Sequence, residues 1–236
     1  MKKIARILLR AVFIVAICLC GYWTLKSPVT VNVIDVRELA KTVVDKNASA
    51  SGNAALKDAL KLAESAGLED KVLGQLPKQY HHNLSYVGLY NLSVTYEANG
   101  ELTAKNLSLP QKNKTQQAVN RIILHDVNHE LADRDKQVEQ IINIFHYVIL
   151  VIILGFVLAA LLVLFGKYAA SIALLLTTLG SFGILQYCTG QLVMSLRSAL
   201  STGISFTTSA MLWAALILGV IAAILWPICL KLAKKR

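Results

Sequence analysis

The chain has little charge for its length. Of 236 residues only 16% are charged, 55% are hydrophobic, and four are cysteine and four proline. A mean hydropathy of +0.53 is too high for an ordinary soluble domain. None of the 14 acidic residues lies outside Lys26–Ile144, and that segment contains no cysteine. No disulfide can therefore staple it, which excludes the cysteine-rich class of small secreted modules. The formal charge of +10 invites a nucleic-acid reading, but the distribution excludes it. Fourteen of the 24 basic residues share Lys26–Ile144 with all the acids, leaving that segment formally neutral. Lys2, Lys3, Arg6, Arg10, Lys167, Arg197, Lys231, Lys234, Lys235 and Arg236 carry the excess, and most of them flank apolar runs instead of gathering on one folded face. Composition and charge together identify a membrane protein.

Crossing roughly 30 Å of hydrocarbon takes about 20 apolar residues. Four runs qualify: Ile7–Leu25, Phe145–Phe165, Tyr168–Tyr187 and Met211–Leu230. The first is interrupted by Arg10 and resembles a signal peptide, but no small-x-small cleavage site follows it, which favours an uncleaved anchor. Basic residues concentrate on the cytosolic side of membrane proteins. The sequence thus divides into a cytosolic N-terminus (1–6), a first span (7–25), an outside domain (26–144), a second span (145–165), a cytosolic turn (166–167), a third span (168–187), a second outside loop (188–210), a fourth span (211–230) and a basic cytosolic tail (231–236). The expected location is the plasma membrane, with both termini cytosolic.

All eleven asparagines fall in the outside domain, and five of them open Asn-x-Ser/Thr triplets: Asn47, Asn83, Asn91, Asn106 and Asn113. About one triplet is expected by chance at this Ser and Thr content, so the excess suggests a glycosylated surface in a eukaryotic secretory pathway. A polar loop domain from a bacterium is the competing explanation.

Within this domain Pro28–Val36 alternates Val29, Val31 and Val33 with polar residues, the pattern of a half-buried strand. Asn53–Ser65 carries a helical apolar stripe. Leu84–Ala98 reads as a strand turning at Asn99-Gly100 into Glu101–Leu107. Val119, Ile123, Val127 and Leu131 indicate a helix that continues through Val138 and Ile142 into the second span. Leu192, Val193, Leu196 and Leu200 are spaced as a short amphipathic helix, either extending the third span or lying on the membrane.

His125 and His129 stand one helical turn apart, as zinc ligands do, but the residue after His125 is Asp126 and no third ligand is evident. The favoured reading is the solvated face of a helix. His81-His82 reads as a surface pair and His146 as an interfacial anchor. No metal, cofactor or catalytic set is expected. Arg10 is the one Lys, Arg, Asp or Glu in the spans, and Thr177, Thr178, Ser181 and Gln186 add uncharged polar groups, which argues against a carrier. Ala215, Gly219 and Ala223 form a small-residue stripe suited to close helix approach, either inside the bundle or between copies. Cys229, beside Lys231, is a candidate for S-acylation, or else a buried thiol.

The layout of a large first outer loop, a minimal inner turn, a smaller second loop and a basic tail resembles the claudin-like tetraspan superfamily. Gly88-Leu89-Tyr90-Asn91-Leu92-Ser93 stands in register with that superfamily's Gly-Leu-Trp-x-x-Cys signature. Tyr90 replaces the Trp, Ser93 replaces the first Cys, and no second Cys follows. Leu76-Pro77 leading to this segment is most similar to the fungal PalI-type and eisosome-associated plasma-membrane tetraspans. The resemblance implies a four-transmembrane-helix bundle topped by a small extracellular antiparallel sheet with helices, and assigns Gly88, Leu89, Tyr90 and Ser93 to the outer fold. It implies a non-enzymatic protein that organises membrane domains, cell-wall or cell-fusion contacts by lateral association with itself or other membrane proteins. The alternative is an accessory subunit of a multi-span signalling receptor, as in ambient-pH sensing. Membrane lipids are the remaining expected partner.

Overall fold

The computed structural model describes residues 2–33, 41, 80–107, 109, 114–133, 135–200 and 204–235. In chain order its elements are α1 (Lys2–Lys26), β1 (Pro28–Val33), β2 (Tyr80–Ser85), α2 (Tyr86–Asn99), α3 (Lys114–Asp133), α4 (Asp135–Leu164), α5 (Ala169–Leu200), β3 (Ile204–Thr208) and α6 (Ala210–Lys235). Segments Ile4–Lys26, Val138–Leu164, Ala169–Gln191 and Ala210–Ala233 are each long and apolar enough to cross a membrane. The protein is thus a multi-pass membrane protein of four spans. The helix expected over Asn53–Ser65 lies outside the described residues.

The four long helices close into a ring, α1 packing on α4 and α6, and α5 packing on the same two. Each presents one stripe inward and leaves the rest to lipid. On α1 the stripe is Phe13, Ile17, Cys20 and Thr24; on α4 it is Ile149, Ile152, Phe156, Ala159 and Val163. Outward, α4 exposes Leu150, Val151, Leu154, Leu158 and Leu161. Buried threonine hydroxyls within the spans are satisfied along their own helices, since hydrocarbon offers no other partner. Thr24 donates to the Cys20 carbonyl (2.9 Å) and Thr178 to that of Leu174 (2.7 Å).

At one end of the bundle the two loops share a three-stranded antiparallel sheet in the order β2-β1-β3. The expected first strand is present as β1 and forms the centre, with Val29 buried and Thr30 opposite both Asn83 and Thr207. β3, from the second loop, is a strand not among those expected from the sequence. The apolar spacing over Leu192–Leu200 proves to extend the third span. α5 runs unbroken to Leu200, about 48 Å at 1.5 Å per residue, and so stands well clear of the hydrocarbon.

The segment Leu84–Ala98 is not the strand that its sequence predicts. Its first two residues end β2 and the remainder is helix α2. Ser85 in extended conformation caps the helix, its hydroxyl accepting from the Gly88 N–H at 3.0 Å. Asn99-Gly100 makes no hairpin. Gly100 is left-handed (φ +71°) and its N–H closes on the Tyr96 carbonyl at 2.7 Å, so the dipeptide ends a helix. The signature-like residues Gly88, Leu89, Tyr90 and Ser93 accordingly lie on a helix, not on paired strands.

Candidate functional site

Three sets of contacts fix the bundle and what it presents. The first joins α2 to the ends of the spans nearest the sheet. Tyr86, Tyr90, Ser93 and Glu97 recur every three or four residues and, with Leu89, form one helical face. Tyr86 is buried, with its hydroxyl 3.2 Å from that of Thr189 on α5. Burial pushes its phenol above the ordinary range, against the opposing pull of the Thr189 hydrogen bond. Tyr90 packs on His146 of α4 with ring centroids 4.5 Å apart. His146 Nε2 lies 2.7 Å from Ser93 Oγ, and its Nδ1 lies 3.9 Å from Glu97 Oε2.

Serine, histidine and a carboxylate in series suggest a nucleophile with its base and orienter. The surroundings oppose this. Ser93 Oγ also stands 2.8 Å from the Tyr90 carbonyl, an acceptor that competes with Nε2 for the one hydroxyl proton. Glu97 at 3.9 Å is beyond hydrogen-bond reach of Nδ1. Ser93 also sits in the middle of a helix, where backbone N–H groups are already committed. The arrangement clasps α2 to α4.

The second set lies inside the bundle, around α5. Adjacent Thr177 and Thr178 face opposite neighbours, and each meets a glycine. A Cβ on Gly155 of α4 would stand 2.6 Å from Thr177 Oγ1, and one on Gly219 of α6 would stand 2.5 Å from Thr178 Oγ1. Cys20 Sγ donates to the Ala215 carbonyl at 3.0 Å. Farther along, α6 carries Pro227 in its interior. Proline has no N–H, so the carbonyl four residues earlier, that of Ala223, loses its helical partner. Ser171 of α5 donates its hydroxyl to that carbonyl. Ala215 and Ala223 are each 1% exposed and Gly219 is buried. Of the two uses open to the small-residue stripe, packing within the bundle is the one observed.

The third set closes the opposite end. Arg6 and Arg10 continue the inward stripe of α1 past Phe13. Arg6 Nε donates to the Ala233 carbonyl at 3.1 Å, near the end of α6, and Arg10 Nη1 to the Leu164 carbonyl at 2.9 Å, at the end of α4. Positive side chains thereby meet the negative ends of two helix dipoles. Gly166 in the α4–α5 turn is left-handed (φ +66°), and a Cβ there would come 2.6 Å from Arg10 Nη2. Trp226 Nε1 donates to the Lys167 carbonyl at 2.9 Å, and its ring meets Phe13 edge-on at 5.1 Å.

Other sequence-predicted residues are scattered. Asn47 and Asn113 lie outside the described residues. Asn83 is exposed on β2, its Oδ1 accepting from Thr30 Oγ1 at 2.7 Å. Asn91 is exposed on α2, but the hydroxyl of its triplet, Ser93, is turned to His146. Asn106 folds its Oδ1 onto the Thr103 amide at 2.9 Å. His125 and His129 make an edge contact at 6.2 Å, and exposed His129 pairs with Asp133 at 3.0 Å. Among the described residues no three His, Cys, Asp or Glu side chains converge as a metal would require. Within that same helical turn it is Asn128 that is positioned. Its amide accepts from the Leu102 N–H at 2.8 Å and donates to the Leu102 carbonyl at 2.9 Å, tying α3 to the chain leaving α2. Cys229 is half-buried against the core, and all four cysteines are free thiols.

No family model, curated protein or solved structure matches the chain. Sequence reasoning missed Gly155, Ser171 and Asn128. Pro227 was the one available signal, since a proline within a span requires some partner for the carbonyl it frees.

Proposed function

We propose that this is a non-enzymatic plasma-membrane tetraspan, with both termini cytosolic, that organises membrane domains or cell-surface contacts by lateral association. The observation that supports it is the union of the two outer loops in one sheet, clamped to the spans through Tyr86–Thr189 and Ser93–His146. A platform fastened to its own anchor at both loops keeps one face at a fixed height and orientation to the membrane. That suits contact with neighbours better than it suits a gate or carrier. The interior of the spans is filled by apolar, small and hydroxyl side chains, with Arg10 committed at one end.

The small-residue stripe does not serve such association, because it is consumed within the bundle. Lateral contacts would use outward faces, such as Ile217, Ile221, Ile224 and Ile228 of α6. Energy transfer between differently labelled copies reconstituted at low density in lipid vesicles tests this. Transfer above that of a monomeric membrane standard is expected, and reduced when Ile221 and Ile228 are changed to Ala. Transfer no greater than the standard at every density refutes association with itself. Co-purification with a larger multi-span protein would then favour the accessory-subunit reading.

A further inference from the structure

The basic end of the bundle is more specific than a charge bias. Lys2, Lys3, Arg6, Arg10, Lys167, Lys231, Lys234, Lys235 and Arg236 all belong to the chain ends and the α4–α5 turn, and no acidic residue occurs in those segments. The hydrogen bonds of Arg6 to Ala233 and of Arg10 to Leu164 bring these segments together at one end. Arg6 is exposed and Arg10 half-exposed, one turn apart on the inward stripe, each fixed by a backbone carbonyl. A guanidinium has five N–H donors, and the carbonyl takes one of Arg6's and one of Arg10's. The remaining donors form forks suited to bidentate phosphate binding. Lys167 and Lys231 are exposed around the same end.

We propose that this end seats the phosphate of an anionic phospholipid from the adjoining leaflet, held by Arg6 and Arg10 with Lys167 and Lys231 at the rim. The proposal rests on the membrane-spanning reading and not on lateral association. A lipid is the occupant the geometry favours, because the forks lie where the apolar spans end and the headgroup layer begins.

The full chain, reconstituted in vesicles of equimolar phosphatidylglycerol and phosphatidylcholine and gently re-extracted, is analysed by mass spectrometry for retained lipid. Phosphatidylglycerol is expected in several-fold excess, falling about fivefold for each cation removed near the surface, as in Arg6→Gln or Lys231→Gln. Arg6→Lys keeps the charge, loses the fork, and should also retain less than the original chain. Lys105→Gln, at the opposite end of the bundle, should change nothing. Equal retention of the two lipids overturns the proposal, as does an equal loss in Lys105→Gln. If Arg6→Gln does not fold, the exposed Lys231→Gln decides. Self-association measured on the same vesicles separates the two readings, since copies that associate without enriching phosphatidylglycerol overturn only this one.

Discussion

Replacing Ser171 by Ala removes the hydroxyl that serves the Ala223 carbonyl and adds no new atom to the bundle. The carbonyl is orphaned because residue 227 is proline, so the cost should depend on that proline. A buried polar group left without a partner costs about 1–3 kcal/mol. Hydrogen bonds between membrane helices measure lower, about 0.6 and at most about 1.7 kcal/mol, because alternative partners exist. We therefore expect Ser171→Ala to lower stability by about 1–2 kcal/mol. In a Pro227→Ala background the amide of residue 227 can donate to Ala223 itself. There Ser171→Ala should cost less than about 0.5 kcal/mol, a coupling of about 1 kcal/mol. Unfolding of the full chain in mixed micelles, followed by fluorescence of Trp226 and its companions, measures all four corners of the cycle. Equal cost of Ser171→Ala in both backgrounds would refute the link between Pro227 and Ser171.

Three further outcomes follow from the same packing. Gly219→Leu should unfold or loosen the bundle by more than the ~1–3 kcal/mol typical of overpacking, since even a Cβ meets Thr178 at 2.5 Å. Thr178→Ala should recover part of that loss, and a stable Gly219→Leu chain with unchanged unfolding would be contrary. Ser27 is fully buried and its hydroxyl has no hydrogen-bond partner among the described residues, so Ser27→Ala should be neutral or stabilise by about 1 kcal/mol, read in the same unfolding assay. Tyr86 has its folded-state pKa raised by burial, so its contribution is intact below its ordinary value of 10.0 and lost as pH rises through the folded value. Tyr86→Phe should remove that part of the alkaline loss, seen as a smaller drop in stability between pH 9 and pH 11 than in the original chain.

The spans were legible in the sequence because hydrocarbon thickness alone dictates about 20 apolar residues. β1 was legible because Val29, Val31 and Val33 alternate with polar residues. α2 was misread because Tyr86, Val87, Tyr90, Val94 and Tyr96 favour strands intrinsically, while Asn-Gly serves a hairpin and a helix end equally well. What decided it were the Ser85 cap and the fit of Tyr86 and Tyr90 against the spans, which are tertiary facts. The small-residue stripe was visible, but its direction was not. Its rotation toward Thr178 and Cys20 is set by how α5 and α1 present those groups. His125 and His129 drew attention as ligand types, whereas the organising residue between them, Asn128, has no spacing signature.

The most direct test of the four-span layout is labelling with a membrane-impermeant maleimide in intact cells. Asn99→Cys lies at the exposed end of α2 and Lys167→Cys in the exposed α4–α5 turn at the opposite end of the bundle. Asn99→Cys should label in intact cells and Lys167→Cys only after permeabilisation, each judged against the unsubstituted chain. Labelling of both from outside would contradict the four-span layout, and the reverse pattern would contradict its orientation.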